Sequence, residues 1–365
     1  MSSKLIPAGE VTDTETRKNN PLLEQTLKKL SFIILCFLMI SPVFALPLPT
    51  IKPAPLKKGD TVALISSGFR ANTDQDIQFA TERLQALGLT VIYGKTVFQQ
   101  TGYFAGTDQA RAADINDMFA NPKVNAIIEL RGGWGSARTL EYLDFPLIKK
   151  NPKIFMGFSD ITTLLLAIHQ KTGLITFHGP MAAAFPWTQY TVNYLEKILF
   201  QGNAIEMANP IIKSDDLTRT VARIQTIRPG IATGEILGGN LSVLVSMLGS
   251  SYLPSFKNKI LFLEDTGEDV YQIDRMLTQL QTAGILKEIS GFIFGQCSNC
   301  NAKVPYGSFR LQEVLEQHIS PLKIPAWNGA MIGHQANMFT IGEGAKVRID
   351  ASEGTITMLE PAVGR

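Results

Sequence analysis

The sequence predicts an α/β protein with a parallel-sheet layer domain in its N-terminal part and a smaller α+β domain, ending in a β-rich tail, after it. Three observations predict this. Short apolar runs alternate with helical patterns from about residue 60 to 201, periodicity lapses over 202–232, and the last segment alternates residue by residue as antiparallel strands do. The organisation expected is a leader at 1–45, a proline-rich spacer at 46–59, an α/β domain at 60–201, a connection at 202–232 and a second domain at 233–365.

The elements follow in order. TVALIS (61–66) is β-branched and apolar and reads as a buried strand; a helical pattern over 76–87 closes at Gly88. LTVIYG (89–94) is a second strand, and DQARAADINDMFA (108–120) is a helix stopped by Asn121-Pro122. VNAIIELRGG (124–133) gives a third strand, SARTLEYL (136–143) a helix and KIFMG (153–157) a fourth strand. Strands that alternate with helices imply parallel crossovers, and ligands in such sheets bind beyond the carboxyl ends of the strands. RGGWGS (131–136) and GFSDIT (157–162) both fall at such ends and should be neighbours.

In the second half, GEILGGNLSVLVSMLGS (234–250) reads as a turn and a helix, and KILFLED (259–265) as a buried strand ending in acids. An amphipathic helix at 270–284, a strand at 291–297 and a helix at 309–319 precede the alternating tail at 338–359.

With 365 residues, 45% of them hydrophobic, the chain can bury a core large enough for two domains. Thirty-four basic and thirty-two acidic residues leave a net charge of +2, with no long basic block, which argues against nucleic acid as a partner. FIILCFLMISPVFA (32–45), preceded by Lys28 and Lys29 and ending in Val43-Phe44-Ala45, reads as an export signal; its apolar core of about 14 residues falls short of the about 20 that a membrane span needs. Export, to the periplasm, is the expectation, with an inner-membrane anchor or a cytoplasmic protein as alternatives; this segment would be the chain's only membrane contact. Cys297 and Cys300 remain after such cleavage, and a local disulfide is the default over a redox dithiol or half a metal site, since no second cysteine pair and no nearby histidine completes a zinc set.

Ser159, in GFSDIT, has two readings: a cap for the helix that follows, or a nucleophile exposed at a strand-to-helix turn. A nucleophilic serine needs a base oriented by an acid. Of four histidines, His169 lies inside the following helix and His318 near the end of another, while His178 and His334 lie at strand ends; His334, in MIGHQANMFT, is favoured over His178. Glu264, ending a buried strand, is the orienting acid, with Asp265, Glu268 and Asp269 beside it. Asp160 would turn its carboxylate away from the site and contribute its backbone N–H, and RGGWG offers a glycine-rich loop for a second donor. Neither a Walker loop nor a full dinucleotide fingerprint is present.

In order along the chain, KKGDTVALISS, GYFAGTDQARAADIN, RGGWGSAR, GFSDIT, TFHGPM, GGNLSVL, LFLEDTGEDVYQIDRML and IGHQANMFTIGEGAKV resemble the LD-carboxypeptidase family of serine peptidases, which includes the microcin C immunity peptidases. The resemblance implies a flavodoxin- or amidotransferase-like first domain, a triad of Ser159, Glu264 and His334, an oxyanion hole at the backbone of Gly133 and Asp160, and no metal or organic cofactor. Arg131, Gly132 and Trp134 are candidates for substrate contact, with Arg138 a further candidate for the substrate carboxylate. The implied reaction removes the C-terminal D-alanine from a murein tetrapeptide, and a homodimer is common in the family. The rival readings are an immunity peptidase acting on an aminoacyl nucleotide conjugate and a non-catalytic wall-peptide binding module. Murein-recycling members usually lack an export signal, so the leader departs from the pattern.

Overall fold

The computed structural model describes residues 48–364, together with Gln25, apart from 213–216, 219–220 and 301–306. The expected leader, Gln25 apart, lies outside the described residues, its apolar segment included. Among the described residues no helix is long and apolar enough to cross a membrane.

Two sheets carry the structure. In the first, β1 (Thr61–Ile65), β2 (Thr90–Tyr93), β3 (Ala126–Glu129), β4 (Ile154–Gly157) and β5 (Thr176–His178) lie parallel in the order 5-4-3-1-2. The helices Asp74–Ala86, Asp108–Ala120, Phe145–Lys150 and Thr162–Thr172 make the crossovers. Every residue of β3 and β4 is buried, as a parallel sheet covered on both faces requires, and this is why their sequences read as unbroken apolar runs. The expected helix over SARTLEYL is a 3-10 helix, Ser136–Tyr142.

The second sheet has the order β6-β14-β13-β8-β9-β10-β11-β7, made of Glu206–Met207, Gln225–Arg228, Ile231–Asn240, Ile260–Thr266, Gly291–Ser298, Ala326–Ala330, Lys346–Asp350 and Thr355–Met358 for β6, β7, β8, β9, β10, β11, β13 and β14. Its centre, β8 to β11, is parallel, and its flanks are antiparallel. The remaining strand, β12 (Ile341–Glu343), leaves this half of the chain and pairs antiparallel with β5 on the edge of the first sheet.

Two expectations need correction. The stretch read as a connection, 202–232, holds β6 and β7 and the start of β8; β6 and β7 are short edge strands with exposed positions, so no buried period marks them. GEILGGN is not a turn but most of the ten-residue strand β8, and only Leu241–Ser246 is helical. Glycine there reflects crowding: a Cβ on Gly238 would lie 1.7 Å from the Phe262 carbonyl oxygen, and one on Gly239 2.5 Å from Thr162 Oγ1.

Gly238→Ala must therefore push β8 off β9. We expect a loss of about 3 kcal/mol of stability, at the upper end of overpacking costs, read as a lower urea midpoint at unchanged m-value.

Candidate active site

At the end of β4 the chain turns sharply into a helix. Phe158 is still extended, Ser159 has φ 62°, and a 3-10 turn at Ser159–Ile161 leads into the helix Thr162–Thr172. A serine in the left-handed region costs roughly 1–3 kcal/mol and persists only where its surroundings over-determine it. Gly157 permits the fold-back, because a Cβ there would sit 2.8 Å from Ile161 Cγ2.

Asp160 ties this turn to RGGWGS. Its buried carboxylate accepts from the N–H groups of Gly135 (3.1 Å) and Ser136 (2.9 Å), and the Ser136 hydroxyl donates back to the Asp160 carbonyl at 2.6 Å. Burial pushes this carboxyl up to about 6, with those donors working against the shift. From the other side, buried Arg111 donates to the carbonyl oxygens of Gly135 (3.0 Å) and Ser67, pairs with Asp108 at 2.5 Å and lies 4.6 Å from the centre of the Phe104 ring. Gly132 lies against the serine, its Cβ position being 3.3 Å from Ser159 Cβ and 3.5 Å from Asp160 N. Gly133 and Gly135, both at φ 102°, would drive a Cβ into Phe69 and Phe104.

The partners of Ser159 arrive from the other half of the chain. Glu264, fully buried on β9, accepts from His334 Nδ1–H across 2.7 Å through Oε2, and His334 Nε2 lies 2.9 Å from Ser159 Oγ. Gly333 has φ 103°, and a Cβ on it would lie 2.3 Å from Glu264 Oε2, so the loop can bring His334 to Glu264 only over glycine. Beyond the histidine, Thr191 Oγ1 donates to the Ala336 carbonyl (2.7 Å) and accepts from Met338 N–H (3.0 Å). Burial alone would lower the His334 pKa; the Glu264 hydrogen bond and charge, with Asp265 behind them, outweigh it and raise the pKa above the ordinary 6.5.

A cavity of about 360 Å³ opens on Ser159 and His334, lined also by Asn72, Asp76, Arg131, Gly132, Gly133 and Phe185 among others. Arg131 donates to Asn72 Oδ1 and lies 6.0 Å from the centre of the Phe69 ring. Trp134 is not among the lining residues; its exposed ring sits 6.2 Å from that of Tyr103. Arg138 is turned elsewhere, paired with Asp108 at 2.9 Å over Phe104. His178 is wholly buried between Phe158 and Phe262, and burial pushes its pKa down to about 4. His169 bonds the Leu174 carbonyl (3.1 Å) and His318 pairs with Asp274 (2.6 Å). Cys297 and Cys300 form a disulfide, the default of the sequence reading. Among the described residues no group of three or more His, Cys, Asp or Glu is placed to hold a metal ion.

Sequence reasoning missed the Asp160 carboxylate as the strut of the glycine-rich loop, and missed Arg111 altogether. The signal for the first was an acid next to a strand-end serine with two N–H groups to satisfy at 135–136. Arg111 gave no signal, because an arginine in an amphipathic helical stretch ordinarily faces solvent.

An α/β layer protein whose cavity opens beyond the carboxyl ends of parallel strands, with a hydroxyl, an imidazole and a carboxylate in hydrogen-bonded succession, has the build of a hydrolase. The LD-carboxypeptidase N-terminal domain matches residues 62–179 and the LD-carboxypeptidase C-terminal domain residues 233–349. A probable murein peptide carboxypeptidase of Bacillus subtilis (strain 168) is 39% identical over 311 residues, 83% of this chain and 93% of that protein. The microcin C7 self-immunity protein MccF of Escherichia coli is 31% identical over 335 residues, covering 84% and 95% of the two chains. Among solved structures, MccF in its wild-type apo state superposes with a TM-score of 0.78 at 28% identity over 86% of this chain and all of that one. A muramoyltetrapeptide carboxypeptidase from Oxalobacter formigenes gives 0.70 at 28% identity, covering 82% and 97%. The chain belongs to the LD-carboxypeptidase family, and it is a carboxypeptidase.

The electrostatics of the pair can be read directly. In an NMR titration of the imidazole, His334 should lose its proton above pH 6.5, and Glu264→Gln, which removes the charge that raises it, should bring the midpoint down. An unchanged midpoint would show that Glu264 does not set the imidazole.

Proposed function

We propose that this carboxypeptidase is a serine-type enzyme that removes the C-terminal D-alanine from murein tetrapeptides and leaves tripeptides. The observation that carries the reading is the succession Ser159 Oγ, His334 Nε2 at 2.9 Å and Glu264 Oε2 at 2.7 Å from Nδ1, with the serine on a left-handed strand-to-helix turn. Ser159 Oγ attacks the carbonyl of the penultimate, L-configured centre as its proton passes to His334 Nε2. Glu264 holds the Nδ1–H tautomer and stabilises the imidazolium. The N–H groups of Gly133 and Asp160 take the developing oxyanion. His334 then protonates the departing D-alanine amine, and a water deprotonated by the same imidazole releases the tripeptide and restores Ser159. The Arg131 guanidinium, on the wall of the cavity, holds the substrate's terminal carboxylate.

The substrate rests on the relatives named for murein peptides. A second reading, hydrolysis of an aminoacyl sulfamoyl nucleoside, is favoured by the likeness to MccF, which has been solved with aspartyl sulfamoyl adenosine. Incubation with tetrapeptide, tripeptide and pentapeptide stems and with that nucleoside separates the two: D-alanine released from the tetrapeptide alone supports the first, cleavage of the nucleoside alone the second. We also propose that the protein is exported, on the signal-like segment at 32–45 and on the Cys297–Cys300 disulfide, which suits an oxidising compartment. A reporter fusion that stays in the cytoplasm would remove that idea.

Ser159→Ala should lower D-alanine release by at least about 10⁴-fold with the melting temperature retained, and full activity in that variant would mean another nucleophile. Arg131→Ala should raise KM about 10- to 100-fold, the worth of a charged hydrogen bond, with a smaller change in kcat. Because the base must be neutral, kcat/KM should rise with pH through a limb above 6.5, displaced upward by the raised His334 pKa.

A further inference from the structure

The end of β10 runs beside both ends of the Glu264–His334 pair. Its register with β9 shifts between Phe294 and Cys297, and beyond the shift Cys297 pairs with Asp265 and Ser298 with Thr266. Such bulges re-aim the side chains that follow them. Here the re-aimed residues hold the loop that carries the imidazole. Gln296 N–H donates to the Ile332 carbonyl at 3.1 Å, and the Ser298 hydroxyl donates to the carbonyl of His334 itself at 2.7 Å. The Ser298 carbonyl in turn accepts from Gly267 N–H (2.8 Å) and Thr266 Oγ1 (3.1 Å), just past the strand that bears Glu264. Gly295 lets the two meet closely, since a Cβ there would lie 2.6 Å from the Ile332 oxygen and 3.1 Å from Glu264 Cβ. The Cys297–Cys300 disulfide closes the chain around Ser298, between Cα atoms 5.4 Å apart, where β10 leaves the sheet.

We infer that Ser298 is a positioning residue for His334, and that the Cys297–Cys300 disulfide holds it in place. The inference rests on the reading of His334 as the catalytic base. His334 is fixed by its side-chain bonds at one end and by its backbone at the other. A loop carrying a base tolerates little drift, because a misplacement of about 1 Å can cost 10²-fold in rate. With the disulfide closed, Ser298 spans the end of β9 and the His334 carbonyl. With it open, the residues past the bulge keep only their hydrogen bonds, and the clamp on His334 loosens. The requirement belongs to an oxidising compartment, where such a bond persists.

Ser298→Ala should lower kcat about fivefold, the worth of one neutral hydrogen bond, with KM unchanged and the acid limb of the pH profile moved down as the His334–Glu264 bond weakens. Ser298→Thr, which keeps the hydroxyl, should recover most of the rate. A dithiol such as dithiothreitol passes two electrons and two protons to the disulfide, giving two cysteine thiols and its own cyclic disulfide. Wild-type enzyme treated in this way, and titrating for two thiols, should show the same loss of kcat and recover it on reoxidation. The Cys297→Ala/Cys300→Ala protein should show that loss from the start and no response to dithiol. Wild-type kcat and pH limb in Ser298→Ala, or full kcat in the reduced wild type, overturns the inference. The His334 imidazole titration in Ser298→Ala needs no substrate, so it reads the tether even if the proposed reaction is wrong; activity retained in His334→Ala would instead remove the reading of His334 as base.

Discussion

The backbone of Ser159, held at φ 62° where β4 becomes a helix, is the constraint on which the rest of the site depends. An L-residue occupies that region only under compulsion. Here the compulsion comes from neighbours that have no other place to go. Gly157 admits Ile161 against the strand, and the Asp160 carboxylate is committed to two loop N–H groups. Thr162 Oγ1 accepts the Asn240 N–H from the second sheet at 3.0 Å. Relaxing the serine would break contacts on both of its sides at once.

That last bond also explains how two halves of the chain share one site. Asn240 ends β8, and its ladder partner on β9 is Glu264. The strand that meets the serine's helix is therefore the neighbour of the strand that carries the acid. The glycines of β8 and β9's bulky Phe262 fit only at this close approach, while β12 completes the join by pairing Ile341 with His178 on the edge of the first sheet.

Around the site lies a set of buried carboxylates that act as acceptors for backbone N–H groups of loops and strands. Glu129 takes Ser67 N–H at 3.0 Å, Asp265 takes Ser242 and Thr266 N–H at 2.9 Å each, and Glu343 takes Gly238 N–H at 3.0 Å. Burial pushes Glu129 up to about 8; burial, with the Glu264 charge added, pushes Asp265 up to about 7; and burial raises Glu343 well above the carboxylate range. Each of these acids accepts from buried backbone N–H groups, at turns and strand ends for Glu129 and Asp265 and within β8 for Glu343, which is the ordinary use of a buried acceptor. They hold loops and strands in place, and Glu264 differs from them in pointing one oxygen at an imidazole.

What the sequence by itself determined was local or periodic. The alternation of buried runs with helices located β1 to β4, and the strand end at Ser159 followed from where the fourth run stops; Glu264 reads as the end of a strand in KILFLED, and the structure keeps it within β9, while His334 lies in the loop after β11. The sequence favoured His334 over His178, and the fold supplies the physical reason, with His178 at the end of β5 sealed behind Phe158 and Phe262. The sequence could not reveal that GEILGGN is a strand, because glycine signals a turn until a neighbouring backbone is seen at contact distance. The tertiary structure decided which side chains meet. Ser159 and His334 are 175 positions apart, and the Ser298 tether and the Arg111 buttress rest on contacts equally remote from local pattern. Sequence period reports which face of an element is buried, while a hydrogen bond between distant loops depends on how whole sheets pack.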